Sequence, residues 1–365
     1  MVRTLAVVVD GTTEAGLQAG ATRVLAYLRP HWQHHNLHFK TYTSGVTNTL
    51  VGVSCGREGE QVLVRVYGHN THLFIDRVQE INTLKVVHKA GCGPEVFAAF
   101  TNGLCYAYTP GVPLTFRDVT KEPVWRGVTR QAARFHKIQG GDKQKAILFP
   151  KLRQLLALLP DTFTDPKMQH RVEAEGCTRE QLVRMTEELE DHLVPLSCPV
   201  VFCHNDLVMR NIIWDQDSAS ATFIDYEYAS HNYQPYDIAN HFNEYSGVEE
   251  QDYSLFPSLA VQRAWLKSYL AHYHGLPEDK VTSQEVEMWL GWVTKFTLAS
   301  HLFWVMWAFL QACHSSIDFD YIQYGIVRLA EYKKKQQEVF EVVVQPYCPP
   351  SPPATINNNN IPSNM

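Results

Sequence analysis

His204-Asn205-Asp206-Leu207-Val208-Met209-Arg210-Asn211, followed by Phe223-Ile224-Asp225-Tyr226-Glu227, is the stretch that decides how this chain reads. Asp206 and Asn211 stand five residues apart, after the apolar run Val200-Val201-Phe202. Asp225 lies fourteen residues beyond Asn211 and closes a second apolar run, Ala221 to Ile224. The two runs read as short strands, with the polar residues on loops at their ends. Phosphoryl transfer from ATP to an alcohol needs this donor set. A carboxylate must stand beside the attacking hydroxyl, which is the reading of Asp206. Oxygen ligands must hold Mg²⁺ against the phosphates. The carboxamide of Asn211 and the carboxylate of Asp225 suit a hard cation that keeps several waters. Asn and Asp are also common turn formers, so either half alone would be an ordinary turn. Order and spacing together point to phosphotransfer.

Protein kinases place a catalytic-loop Asp and Asn, then the metal-binding Asp of D-F-G, in the same order with a comparable gap. The other protein-kinase marks are missing: the chain has no G-x-G-x-x-G loop, no intact D-F-G and no A-P-E segment. A small-molecule kinase is the better reading. A catalytically silent binding protein on the same fold is the rival of a different class, but it would be expected to lose one of Asp206, Asn211 or Asp225. His204 and Asn205 read as scaffold that holds the turn.

Outward from this core, Ala21 to Leu28 predicts a helix ended near Arg29-Pro30. Strand-like runs follow at Leu37 to Tyr42, Thr49 to Ser54, Val62 to Tyr67 and Leu104 to Tyr108. A helix over Arg77 to Lys89 interrupts them, with Val78, Ile81, Leu84 and Val87 on a helical period. From Pro123 onward helices dominate: Arg126 to Ile138, Lys151 to Leu159, Arg179 to Leu193, Asp237 to Tyr245, Leu259 to Tyr273, Ser283 to Gln311 and Phe319 to Val339. The outline predicts an α+β, protein-kinase-like two-lobed fold, with a β-rich N-terminal lobe and a mainly helical C-terminal lobe. Residues 1–108 form the ATP-binding lobe in this reading, and 109–345 the catalytic and substrate-binding lobe. The link falls near Thr109-Pro110-Gly111. Residues 346–365 are rich in Pro and Asn and read as a disordered tail.

On the nucleotide side, Ser44-Gly45-Val46-Thr47-Asn48 lies between two strands, either as a cover for the phosphates through Ser44 and Asn48 or as a plain hairpin turn. Arg65 sits among apolar neighbours on its strand, so its charge is expected to have a partner. Glu80 on the following helix is the natural one. The pair is either the phosphate-holding arrangement of kinases or an ordinary salt bridge.

The 365-residue chain carries a net charge of −6 without a Lys/Arg stripe, which gives no reason to expect nucleic acid. Its eight cysteines form no C-x-x-C pair, so zinc and a disulfide framework are poorly supported and a reducing cytosol fits. Trp289 to Leu310 is the most apolar region. Lys295, Ser300 and His301 interrupt it, so it reads as a buried helix and no transmembrane segment is predicted.

Four blocks carry a family resemblance: VLVRVYG (Val62 to Gly68), CHNDLVMRNII (Cys203 to Ile213), FIDYEYASHNYQPYDIANHFNE (Phe223 to Glu244) and ASHLFWVMWAFLQACHSSIDF (Ala299 to Phe319). They resemble the choline/ethanolamine kinase family from roughly Ala21 to Lys335. IDYEY, NHFNEYSGV and NGLCYAYTPG look more like its ethanolamine kinases. The resemblance implies a cytoplasmic enzyme, monomer or homodimer, that uses ATP and Mg²⁺ to phosphorylate ethanolamine. Choline kinase and aminoglycoside-type phosphotransferases are the alternatives on this fold. By position, Asp206 matches the family's catalytic aspartate, Asn211 and Asp225 its magnesium ligands, and Arg65 with Glu80 its phosphate-side pair. Glu227, Asp237, Asn240 and His241 match the signature, where supporting roles are implied. Glu244, Trp304, Trp307, Phe319 and Tyr324 match the lining of the amino-alcohol pocket. Thr49 stands where a lysine is expected, and Ala107 where the inter-lobe strand often carries Glu.

The pocket is also reasonable on chemistry. A small cationic amino-alcohol needs a carboxylate for its charge and aromatic faces for cation–π attraction. Trp304 and Trp307, three apart on one helix, share a face. Without the kinase motifs they would read as core.

Overall fold

Residue alternation along two strands sets the architecture. The computed structural model describes residues 2–32, 36–42, 48–56, 60–68, 77–139, 145–315 and 317–344. Ser44 to Thr47 and the 346–365 tail therefore lie outside the described residues. β1 (Arg3–Leu5) and α1 (Glu14–Leu28) come first, then β2 (Leu37–Tyr42), β3 (Asn48–Cys55), β4 (Gln61–Tyr67), α2 (Arg77–Lys89), β5 (Val96–Phe100) and β6 (Gly103–Ala107). The strands form one sheet in the order β1-β5-β6-β4-β3-β2, with β1 parallel to β5 and the other pairs antiparallel. Successive strand residues face opposite sides. Val51, Val53, Val62, Val64 and Val66 therefore pack with Leu17, Ala21, Val24 and Leu25 of α1 in one apolar cluster. Leu50, Leu63 and Arg65 face the other way, into a cleft. The sequence reading missed β1 and β5.

Beyond the sheet, the chain passes through Gly111, whose φ of +120° and 2.4 Å approach of a notional Cβ to the Trp214 carbonyl oxygen admit only glycine without strain. β7 (Val112–Pro113), α3 (Phe116–Val119), α4 (Glu122–Phe135), α5 (Leu148–Leu158), α6 (Pro166–Ala174) and α7 (Arg179–Leu193) follow. Next come β8 (Val200–Cys203), β9 (Ile212–Asp215), β10 (Ser220–Phe223), β11 (Ser230–Tyr233) and α8 (Gln234–Asn243). α9 (Leu259–His274), α10 (Ser283–His314) and α11 (Tyr321–Glu341) complete the described chain. The short strands pair as β10-β9-β7 and β11-β8. They hold the loops that carry His204 to Asn211 and Ile224 to Glu227.

α10 begins where the Thr282 side chain accepts from the Glu285 amide, and it runs 32 residues. By length and composition it is the one helix among the described residues able to cross a membrane, yet it is mostly buried. It packs against α8, α9 and α11. Every residue of α8 is buried too. α11 starts at Asp320, whose side chain accepts from the Gln323 amide and takes two hydrogen bonds from Arg171, at 3.1 and 3.0 Å. That cap fixes the turn carrying Phe319 and Tyr321.

Candidate active site

One cleft of about 460 Å³ is lined together by Asn48, Arg65, Glu80, Asp206, Asn211, Asp225, Glu244, Trp304, Trp307, Phe319 and Tyr324. Of the residues singled out from sequence as its lining, only Ser44 falls outside the described part.

The loop after β8 is held from below. Asp237 on α8 accepts the backbone amides of His204 at 2.8 Å and Asn205 at 2.7 Å, and His136 Nε2 at 3.0 Å. Burial alone would raise the Asp237 pKa, but the bond from His136 and its charge outweigh that and hold the carboxyl below its ordinary value. The Tyr269 hydroxyl engages the other His136 nitrogen at 2.6 Å. His136, Cys203 and Asp237 are close enough to share a cation. Both oxygens of Asp237 and both nitrogens of His136 are already engaged, so the trio works as a strut.

His204 Nε2 donates to the Ile224 carbonyl at 2.9 Å and ties the first loop to the second. Rings of Phe135, Phe223 and Tyr226 surround it, and burial lowers its pKa. A buried imidazole kept neutral is scaffold rather than base. Asn205 and Asp225 both adopt left-handed backbone, with φ of 65° and 63°. Such conformations persist where surrounding bonds enforce them, and both residues sit at the cleft loops.

The Asn211 amide nitrogen donates to the Asp206 carbonyl at 2.9 Å and to its carboxylate at 3.0 Å. Its carbonyl oxygen is thereby the atom left for a ligand. The Ile224 amide donates to the Asn211 backbone carbonyl at 2.9 Å, which brings Asp225 beside Asn211. An amide oxygen and a carboxylate are hard donors that fit Mg²⁺. Burial raises the Asp206 pKa well above the carboxylate range. Arg210 opposes this, while Asp225, Glu244 and Glu227 add to it.

On the sheet side, Arg65 forms a buried ion pair with Glu80 and reaches Asp225 at 3.2 Å. Arg77 holds the second Glu80 oxygen at 2.9 Å and approaches Glu227 at 3.7 Å. Burial, with Asp225 nearby, pushes the Glu227 carboxyl up to about 7 against the pull of Arg65, Arg77 and Asn48. Asn48 donates to Glu227 at 3.5 Å. Thr49 pairs with Val66 and does not line the cleft, whereas Asn48 and Leu50 do. The departure at Thr49 thus falls on the other strand face, and Lys40 of β2 lines the cleft instead. Ala107 lies beyond the lining as well, between Tyr106 and Tyr108, which contribute to it.

At the opposite end, Trp304 and Trp307 stand edge to face with centroids 5.3 Å apart. Asn240 accepts from Trp304 Nε1 at 2.7 Å and from Ser300 at 2.9 Å, and so fixes that indole. The Tyr228 hydroxyl accepts from Trp307 Nε1 at 2.8 Å. Phe319 and Tyr324 pack at 5.9 Å. Glu244 is buried in this wall and ion-paired with Arg328.

A model of the choline/ethanolamine kinase family matches residues 39–333. The chain belongs to the choline/ethanolamine kinase family. It is 38% identical over 340 residues to ethanolamine kinase 1 of Homo sapiens, covering 92% of this chain and 75% of that one. Among solved structures, the Plasmodium vivax ethanolamine kinase is similar with a TM-score of 0.77 and 25% identity, over 88% of this chain and 89% of that one. Choline kinase from Cryptosporidium parvum shares the fold, with a TM-score of 0.72 at 22% identity over 87% and 95% of the two chains. The fold is accordingly that of this family, protein-kinase-like and α+β.

Sequence reasoning did not single out Tyr228, Arg210 or Arg328. Tyr228 sits inside the IDYEY block, three residues past Asp225, and that spacing was its signal. Arg210 lay in the opening motif itself. Arg328 carries no local signal, since its partner Glu244 is 84 residues away.

Proposed function

We propose that this kinase transfers the γ-phosphoryl group of ATP to the hydroxyl of ethanolamine, giving phosphoethanolamine and ADP, the first step of phosphatidylethanolamine synthesis from free ethanolamine. The observation that carries this reading is the cleft itself. Asp206, Asn211 and Asp225 line one cleft together with a buried arginine–glutamate pair, four aromatic side chains and the Glu244 carboxylate.

In this assignment residues 1–108 bind the nucleotide, with adenine in the apolar slot of Leu50, Leu63, Ile213 and Ile224. Residues 109–345 supply the catalytic loop and the ethanolamine pocket. Arg65, oriented by Glu80, faces the phosphates. Asn211 and Asp225 would hold Mg²⁺, whose charge offsets that developing on the phosphates. Asp206, positioned by the Asn211 amide, orients the ethanolamine hydroxyl and takes its proton. Trp304, Trp307, Phe319 and Tyr324 exclude water and offer π faces to the ammonium, and Glu244 accepts from it. We place the enzyme in the cytosol, which the free thiols among the described residues support. Phosphorus NMR of a reaction with ATP and ethanolamine tests the proposal. A phosphoethanolamine resonance that grows with ADP is expected, and ATP consumed without it contradicts the reading.

A further inference from the structure

We propose that Arg210 is a further catalytic residue, whose guanidinium donates hydrogen bonds to the nonbridging oxygens of the phosphoryl group as it passes from ATP to ethanolamine. The proposal rests on the functional reading above and adds a group to it. Arg210 occupies the single helical turn Met209–Asn211, one residue before Asn211 and four after Asp206. That turn is pinned on both sides, by the Asn211 amide on the Val208 carbonyl at 3.0 Å and by the Asn211 side chain on Asp206. The backbone of Arg210 is thus fixed between the base and the metal ligand.

Among the described residues two guanidinium groups line the cleft, those of Arg65 and Arg210. Arg65 is committed to Glu80 and Asp225. Arg210 is half-buried, and it makes no hydrogen bond or ion pair among the described residues. It lines the cleft near enough to Asp206 and Tyr321 for its charge to act on both, and Tyr321 packs on Trp307. The Arg210 charge acts on Asp206, yet its donors make no bond there, and half-buried donors of this kind call for an acceptor. The anion this reaction brings to Asp206 is the phosphoryl group. The planar fork of arginine matches two phosphate oxygens at once.

Charge also sets the direction of the acceptor. A fixed cation beside Asp206 repels the substrate ammonium, so ethanolamine lies with its hydroxyl toward Arg210 and its ammonium toward Glu244. In the step, the ethanolamine oxygen bonds to the γ-phosphorus as the bond to the β–γ bridging oxygen breaks. ADP leaves with that electron pair, the hydroxyl proton goes to Asp206, and Arg210 keeps its own protons throughout. In passage the charge is spread over three equatorial oxygens that lie in one plane, and a fixed planar fork reaches two of them without reorganising.

Full-length Arg210→Gln and Arg210→Lys test this. Arg210→Gln should melt close to the wild type, because no hydrogen bond or ion pair among the described residues is lost. Its kcat should fall by about 10²–10³, the scale for losing a charge-stabilising donor. The KM values for ATP and ethanolamine should stay within about threefold, and Arg210→Lys should recover part of the loss. Calorimetry with phosphoethanolamine alone, without nucleotide or metal, should show at least a tenfold loss of affinity in Arg210→Gln. An Arg210→Gln enzyme with kcat within threefold of an active wild type, or with unchanged phosphoethanolamine affinity, overturns the proposal. A wild type that does not turn over ethanolamine overturns the functional reading as well.

Discussion

The carboxylate of Glu244 and the guanidinium of Arg328 form a buried ion pair that joins the end of α8 to the second turn of α11. Glu244 lines the cleft and Arg328 stands behind it. The arginine therefore fixes the carboxylate against the aromatic wall without itself facing substrate. On the proposed function, Glu244→Gln removes a charge-assisted contact to the ammonium, worth about 1.5–3 kcal/mol. The ethanolamine KM should rise by roughly ten- to a hundredfold while the ATP KM moves little. Arg328→Met leaves a buried carboxylate unpaired and should cost about 3–5 kcal/mol in denaturant unfolding. Combining the two changes should restore stability without restoring ethanolamine use. Steady-state kinetics and unfolding of the three variants would show whether binding and stability separate in this way.

Asp206→Asn should fold normally, because the Asn211 amide keeps its bond to the residue 206 backbone carbonyl. Loss of a positioned base typically costs about 10²–10⁴ in rate. Near-normal kcat in a variant with a wild-type melting temperature would remove Asp206 from the reaction.

Arg65→Ala should damage ATP use through a raised KM, a lowered kcat, or both. The fold should survive, since Glu80 retains Arg77 at 2.9 Å. The lost Asp225 contact at 3.2 Å should also loosen metal affinity. An enzyme whose ATP kinetics ignore the change would reduce the pair to a structural bridge.

Buried histidine gives an acid-sensitive stability. Burial drives the His241 pKa down from 6.5 to about 4, although its hydrogen bond to the Leu207 carbonyl pulls the other way. The unfolded chain takes up the proton below about pH 6.5 and the folded one does not, so stability rises with pH between 4 and 6.5. The contribution of this residue is intact above that window and lost as pH falls through it. Between pH 8 and pH 5 the wild type should lose about 2 kcal/mol more than His241→Asn. Equal losses in urea titrations at the two pH values would contradict the assignment.

Much of this was legible locally. Arg77–Lys89 and Arg179–Leu193 match the helices predicted, the latter because Thr178 and Gln181 form a capping box at its start. Leu37–Tyr42 reads as a strand from its own residues. The three-residue β1 is defined by its parallel partner β5, almost a hundred residues away, and local pattern carries no trace of such pairing. Likewise Arg328 sits in a helix rich in charged residues, and only the packing of α11 on α10 shows that it is buried beside Glu244. The short motif of Asp206, Asn211 and Asp225 encodes its chemistry in spacing. The pocket proposed for the ammonium is assembled by tertiary contact.

The proposed cleft should select ethanolamine over its methylated analogues. Ethanolamine offers three N–H donors where choline offers three methyl groups, and a buried carboxylate acceptor penalises their loss. ADP release should be measured with ethanolamine, monomethyl-ethanolamine and choline side by side, using the purified full-length chain with ATP and Mg²⁺. The expected result is a kcat/KM that falls in that order, with ethanolamine at least about tenfold above choline. A kcat/KM for choline equal to or above that for ethanolamine would contradict it.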